Sequence, residues 1–180
     1  MARGAPVRKG LYSRGMSVIF DERWMKLAVE LAWRCPPSQT AFSVGAIIVG
    51  ANGAEISRGY SRENDPVVHA EESALSKLAS TGPGRHDPRL VDPRLRGATI
   101  YSTLEPCAQR QSRQRTCTQL IIAAGLRRVV FAWREPNLFV PDAAGHELLE
   151  EAGIEVTELS ELAREAAAPN NHLALGGLGQ

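Results

Sequence analysis

The chain lacks any apolar run approaching the roughly 18 residues that a bilayer-spanning helix needs, which excludes a membrane-spanning segment of that kind. It also lacks a charge excess. Its 21 Lys and Arg against 20 Asp and Glu leave a net charge of +1, so no global field favours a nucleic acid or a membrane surface. Any anion binding must come from local arginine clusters. Cysteine is scarce, and three of them cannot complete a disulfide framework within one chain. The basic N-terminus (Arg3, Arg8, Lys9 and Arg14) is not followed by the apolar core that a secretory signal requires. The expected compartment is therefore the cytoplasm, where paired cysteines more often serve metal binding or catalysis than cross-linking.

What is present fits one ordinary soluble domain: 180 residues, 43% apolar and 23% charged. A basic extension over residues 1–20 is expected to be flexible, with the domain over 21–160 and a C-terminal tail over 161–180. Asp21 precedes a helical pattern with Met25, Ala28, Val29, Ala32 and Trp33 on one face, stopped at Cys35-Pro36-Pro37. Residues 44–49 and 54–60 read as strands joined at Asn52-Gly53, a favoured hairpin turn. A helix is predicted over 69–79, then a long surface loop over 80–96 rich in Pro, Gly and Arg. Strands at 97–103, 128–133 and 154–157 then alternate with helices at 116–124 and 146–152, and 160–168 suggests a last helix. This order predicts a three-layer α/β/α sandwich: a mixed five-stranded sheet with one antiparallel hairpin and helices on both faces.

Two segments carry chemistry. His69-Ala70-Glu71 opens one predicted helix; Pro106-Cys107 is followed, after nine intervening residues, by Cys117 at the start of another. One imidazole and two thiolates form a borderline-soft donor set suited to Zn2+, and three protein ligands leave a fourth tetrahedral position for water. Glu71 is spaced to reach that water without binding the metal, as a general base and then acid. Helix N-termini at both segments favour thiolate over thiol. A C-x9-C pair alone is weak evidence, and so is H-A-E; their conjunction at two strand-to-helix junctions is strong.

The pattern resembles the H-x-E plus P-C-x-x-C signature of zinc deaminases, with the cysteines more widely spaced. Across residues 22–158 the chain is similar to the cytidine-deaminase superfamily, and in particular to its riboflavin-pathway branch, the diaminohydroxyphosphoribosyl-aminopyrimidine deaminases. Residues 97–107 (GATIYSTLEPC), 120–130 (LIIAAGLRRVV), 135–137 (EPN) and 148–156 (LLEEAGIEV) carry that resemblance. It implies a cytidine-deaminase-like fold, bound zinc at His69, Cys107 and Cys117, catalysis by Glu71, and a homo-oligomer, dimer or tetramer. The departures lie elsewhere. The loop between the cysteines reads AQRQSRQRT where that branch has SHxGRTPP, and its substrate-contacting Asn falls on Ala41. Residues 65–72 (DPVVHAEE) instead resemble the tRNA-adenosine and guanine deaminases. The reductase domain usually fused to that branch is not expected here. These departures imply a free-standing relative acting on another amino-heterocycle.

Further candidates surround this centre. Phe42 and Ala70 are candidate base contacts, and Asn64 a candidate hydrogen-bonding partner of the substrate as in relatives; core and turn roles are the alternatives. Arg110, Arg113 and Arg115 rim the site, and Arg113 is the candidate ligand for a ribose phosphate, against the alternative of a solvated basic loop. Cys35 is expected to be a buried structural thiol, and His86, His146 and His172 to face solvent. The expected function is hydrolytic deamination of an aminopyrimidine or aminopurine nucleotide or nucleoside, with a small molecule rather than a nucleic acid or membrane as partner. Two alternatives stand beside it: a tRNA adenosine deaminase, which predicts a broad basic face, and a zinc-binding module without catalysis, which leaves Glu71 without a purpose.

Overall fold

The structure is a computed structural model that describes residues 10–81, 92–134 and 145–173. Its sheet begins with the expected hairpin. The apolar strand β1 (Gly45–Val49) is buried throughout and pairs antiparallel with β2 (Glu55–Tyr60) across the Asn52-Gly53 turn. Strand β3 (Thr99–Leu104) is antiparallel to β1, while β4 (Arg128–Trp133) and β5 (Glu155–Glu158) continue parallel to β3, giving the order β2-β1-β3-β4-β5. Five helices cover it: α1 (Gly10–Ala32), α2 (Ala70–Thr81), α3 (Cys117–Ala123), α4 (Gly145–Glu151) and the short α5 (Ala163–Ala167).

Strand alternation sorts the side chains into two cores, which is what makes three layers. On one face Ala46, Ile48, Ile100 and Val129 pack with Ala74 and Leu78 of α2, Ile121 of α3 and Leu149 of α4. On the other, Ile47, Val49, Tyr101 and Val130 pack with Trp24, Met25, Ala28 and Leu31 of α1 and with Leu162 and Ala166 near α5. The mixed five-stranded sheet with helices on both faces is thus the architecture that the sequence predicts. No helix among the described residues is long and apolar enough to cross a membrane.

Two glycines let both helical layers approach the hairpin closely. A Cβ on Gly45 would lie 2.0 Å from Ala28 O of α1, and one on Gly59 would lie 2.6 Å from Ala70 O of α2. The second contact seats the first turn of α2 directly on β2.

The boundaries expected at the two ends need correction. Residues 10–20, assigned to a flexible extension, are helical, because neither Pro nor a turn signal interrupts the chain between Gly10 and Ala32. Asp21 is accordingly not a cap but a mid-helix residue, 3% exposed. Its carboxylate accepts hydrogen bonds from Arg128 Nη1 and Nη2 at 2.8 and 2.9 Å and from Tyr101 OH at 2.7 Å. Burial and that bond to Asp21 hold the Tyr101 phenol well above its ordinary pKa. At the other end, the domain does not stop at residue 160. Leu162, Ala166, Asn170 and Leu173 are all buried, so 161–173 is part of the packed body rather than a tail. Of the 80–96 loop, 82–91 lie outside the described residues, as do 1–9, 174–180 and His86; residues 93–95 form a 3-10 turn capped by Asp92.

The Asp21–Arg128–Tyr101 contact ties α1 to β3 and β4 and is largely withdrawn from water. Asp21→Ala should lower the unfolding free energy by about 3 kcal/mol, because it removes two charge-assisted bonds from a half-buried guanidinium and the acceptor of Tyr101 OH. Tyr101→Phe, which removes one hydrogen bond, should lower it by about 1 kcal/mol. Urea denaturation curves of the two variants check both values.

Candidate metal centre

Two strand-to-helix connections meet at the centre. One runs from β2 to α2, with His69 immediately before the helix; the other runs from β3 to α3, with Cys107 in the connection and Cys117 as the first helical residue. The start of α3 is fixed by a reciprocal cap: Gln119 N–H donates to Thr116 Oγ1 at 3.3 Å, and Thr116 N–H to Gln119 Oε1 at 3.0 Å. The same turn holds Cys107 in place, since Thr118 N–H and Oγ1 both donate to Cys107 O at 3.3 Å.

His69 Nδ1 lies 3.4 Å from Cys117 Sγ and 3.7 Å from Cys107 Sγ, and the three ligand atoms all lie within 4.8 Å of one another. A tetrahedral zinc with bonds of about 2.05 Å to nitrogen and about 2.3 Å to sulfur separates such donors by about 3.6 Å. The residues therefore fit the ion in type and in spacing.

The electrostatics of the trio are those of a cation site. A bond from the Cys117 thiol and the neighbouring imidazole of His69 push the Cys107 thiol well below its ordinary pKa. Cys117 N–H, at the positive end of α3, also donates to Cys107 Sγ at 3.4 Å. Cys117 moves the other way, held as a thiol by its bond to Cys107, by full burial and by the charge of Glu71. For His69, burial opposes the charged form, but the bond to Cys107 and the nearby negative charges outweigh it and raise its pKa.

Glu71 stands beside the trio without belonging to it. It is 3% exposed, Ser102 Oγ donates to its Oε1 at 3.1 Å, and its Oε2 lies 3.3 Å from Cys117 Sγ. Burial is the main reason its pKa is raised. A buried carboxyl group at the wall of a candidate metal site is placed for proton transfer.

The centre opens into a cavity of about 820 Å³ whose lining includes Phe42, Val68, His69, Glu71 and Arg110. The expected substrate contacts fare unequally. Phe42 lines the cavity and also packs edge-on against Trp133 at 5.3 Å, so its core and pocket roles coexist. Ala70 is fully buried in the core beneath the site. Among the described residues, Asn64 and Arg113 do not line the cavity. Arg113 turns instead to Asp65 and Glu72, because two acids flank the start of α2 and draw the guanidinium outward. Arg115 is exposed. Of the three arginines in the loop between the cysteines, Arg110 is the one that lines the cavity. Its side chain is 2% exposed, with Nη1 2.8 Å from Glu72 Oε2, Nε donating to Ser112 Oγ at 2.9 Å and Nη2 to Val67 O.

Several residues of the site escape sequence reasoning. Ser102 left one signal: a polar residue on the inward face of an otherwise apolar strand, between Ile100 and Leu104. Glu105, buried and on the cavity wall, accepts from His146 N–H at 3.0 Å and faces His146 Nδ1 at 2.7 Å. His146 is therefore not the solvent-facing residue expected, since α4 begins against the connection that carries Cys107. His172 is exposed as expected. Cys35 is half-buried and donates its thiol to Val44 O at 3.4 Å.

A His–Cys–Cys trio beside an uncoordinated buried glutamate, on a mixed sheet between helical layers, defines a centre of the zinc deaminase type. The chain belongs to the cytidine and deoxycytidylate deaminase zinc-binding family, whose pattern it matches over residues 18–133. It is 42% identical over 137 residues to the diaminohydroxyphosphoribosylamino-pyrimidine deaminase of Schizosaccharomyces pombe, covering 76% of this chain and 31% of that one. It is 36% identical over 141 residues to the riboflavin biosynthesis protein RibD of Escherichia coli, covering 76% and 33%. The chain thus spans about a third of the length of these curated relatives. Among solved structures, the Thermotoga maritima diaminohydroxyphosphoribosylaminopyrimidine deaminase/reductase superposes with a TM-score of 0.66 at 33% identity, over 84% of this chain and 39% of that one. The Aspergillus oryzae Rib2 deaminase gives 0.71 at 29%, over 83% and 89%.

Removal of one ligand should empty the centre. Zinc per chain in Cys117→Ser, measured by elemental analysis after purification without chelator, should fall from about one to near zero, because two protein ligands do not hold the ion. Glu71→Gln should retain full zinc. Equal zinc in wild type and Cys117→Ser would remove the trio as the binding site.

Proposed function

We propose that the chain catalyses the hydrolytic deamination of an aminopyrimidine or a related amino-heterocycle, carried as a nucleoside or nucleotide, with release of ammonia. One observation carries this reading: Glu71, buried and hydrogen-bonded to Ser102, borders the three metal-ligating side chains without joining them. A structural zinc site has no use for such a carboxylate, so the arrangement speaks against a zinc-binding module without catalysis. The names of the relatives support the aminopyrimidine, and the A. oryzae Rib2 deaminase has been solved in complex with DARIPP.

His69, Cys107 and Cys117 would hold the zinc, which would supply an acidified water at neutral pH. The protein's own part falls to Glu71 and the cavity. Glu71 takes a first proton from the water and passes it to the ring nitrogen, then takes the proton of the newly added hydroxyl and passes it to the departing amine, and ends as it began. In the balance, water and the amino-heterocycle become the corresponding carbonyl compound and ammonia. Ser102 holds Glu71 Oε1, which leaves the second carboxylate oxygen to face the metal trio. Phe42 and Val68 give the heterocycle an apolar wall, and the volume of about 820 Å³ accommodates a sugar as well as a base.

The reading places the protein in the cytoplasm, where its two ligand cysteines remain reduced; all three cysteines are free thiols. The expected homo-oligomer rests on the family resemblance alone.

An ammonia-release screen over aminopyrimidines and aminopurines, as base, nucleoside and 5′-phosphate, tests the proposal. At least one compound should be turned over, and Glu71→Gln should lose about 10³-fold in kcat while keeping its zinc. Zinc-loaded wild-type protein that releases ammonia from none of them would replace this reading with that of a non-catalytic module.

A further inference from the structure

Residues 36–44 occupy an unusual position. They form no helix or strand, yet Ser38, Thr40, Ala41, Phe42 and Val44 all line the cavity. A segment without ladder hydrogen bonds holds its shape only if other groups satisfy its backbone. Ser61 does so at Val44, whose N–H donates to Ser61 Oγ at 3.2 Å and whose carbonyl accepts from Ser61 N–H at 2.9 Å; for the residues before it, two side chains from elsewhere in the chain do so. Arg62 reaches from the far end of β2: its Nε and Nη2 donate to Pro36 O at 3.0 and 2.8 Å, its Nη1 to Phe42 O at 2.8 Å, and its Nη2 to Ser43 Oγ at 3.0 Å. Arg62 itself is held in the left-handed region, at φ 63°, with its N–H bonded to Val68 O at 2.9 Å. A non-glycine residue stays in that conformation only where its surroundings over-determine it.

The second clamp comes from the C-terminal segment. Asn170 is 1% exposed, and its amide brackets a single residue: Ser43 N–H donates to its Oδ1 at 2.6 Å, and its Nδ2 donates to Ser43 O at 3.0 Å. The side chain thereby replaces the strand neighbour that Ser43 lacks. His172 Nε2 adds a contact to Ser38 O at 2.8 Å.

We propose that residues 38–44 are the substrate-selecting wall of the site, and that Arg62 and Asn170 are positioning residues that set it from opposite sides. The selecting role rests on the deaminase reading above; the clamp does not. Arg62 serves here as a strut, since its donors are directed at carbonyl and hydroxyl oxygens of the protein. Loss of the Asn170 amide leaves Ser43 N–H and C=O buried without partners, an expense that a segment with no ladder escapes by moving. Such movement displaces the wall while the His–Cys–Cys trio, on other elements, stays in place.

Asn170→Ala, Asn170→Asp and Arg62→Lys in the full zinc-loaded chain provide the test, read by hydrogen exchange, zinc content and steady-state kinetics. Amide protection over 36–44 should fall about tenfold or more in Asn170→Ala with β1 and β3 unchanged, and zinc should stay at about one per chain. For the compounds that the wild type deaminates, KM should rise about fivefold or more with kcat within about threefold, and the preference between two such compounds should change. Asn170→Asp, which keeps the acceptor for Ser43 N–H and loses the donor, should fall between wild type and Asn170→Ala. If Asn170→Ala does not fold, Arg62→Lys carries the same expectations from the opposite side. Unchanged exchange over 36–44 overturns the clamp; a loss of zinc, or kcat falling with KM constant, overturns the selecting role. A wild-type protein that deaminates nothing, with exchange responding as stated, removes the deaminase reading and the selecting role together and leaves the clamp standing.

Discussion

Charge balance at one buried spot constrains the rest of this structure. Two thiols, an imidazole and a carboxyl group meet where water is largely excluded, and without a cation they cannot all take their charged forms. The opposite shifts of the two cysteines express this: the bond from Cys117 and the imidazole of His69 push the Cys107 thiol down, while the same bond, burial and Glu71 push the Cys117 thiol up. A divalent cation reverses the logic. It would hold both sulfurs as thiolates and leave Glu71 beside it, outside the ligand set, to exchange protons. Burial raises the pKa of Glu71, the direction that suits a carboxyl group to proton transfer.

The scaffold meets that constraint by fixing two helix starts against each other. Gly59 lets α2 sit on β2 so closely that a single methyl group would displace it, and the Thr116–Gln119 cap fixes α3. The nine residues between the cysteines could leave Cys107 and Cys117 loosely related. Instead, Arg110 and Arg113 pin this loop to Glu72 and Asp65 at the start of α2. Adjacent residues of one helix thus divide the work: Glu71 faces the metal trio, and Glu72 faces the loop that joins its ligands. Exposed ion pairs contribute little to stability individually. Arg110, 2% exposed and tied at three points, is where the anchoring concentrates.

Most of the fold was legible because it rests on periodicity and punctuation. Strand runs of alternating or continuous apolar residues, Asn52-Gly53, and Gly125 after the third helix carry their own physical signatures. The convergence of His69, Cys107 and Cys117 was legible because donor chemistry and order along the chain suggest it, and the structure brings the three donor atoms within 4.8 Å of one another. What escaped depends on tertiary charge. Asp21 has the residue type of a helix cap, and only the fold brings Arg128 and Tyr101 to it, 107 and 80 positions away in sequence. Arg113 looked like a free cation because nothing local reveals that Asp65 and Glu72 share its space. Asn170 lies in a segment with the composition of a tail, and its bond to Ser43 spans 127 positions.

The same distinction separates two tasks within the site. The groups that could hold a metal and move a proton sit at the starts of α2 and α3 and in the connection after β3, next to regular elements that fix them. The wall that faces the substrate has no ladder and depends on Arg62 and Asn170 for its shape. A change in the wall therefore need not disturb the metal trio, which lies on other connections of the sheet. The departures of this chain from the riboflavin-pathway pattern fall at Ala41 and in the loop between the cysteines, both on the cavity side. Those positions can change which heterocycle enters while the chemistry performed on it stays the same. For this reason, likeness to the relatives is better evidence for the reaction than for its substrate.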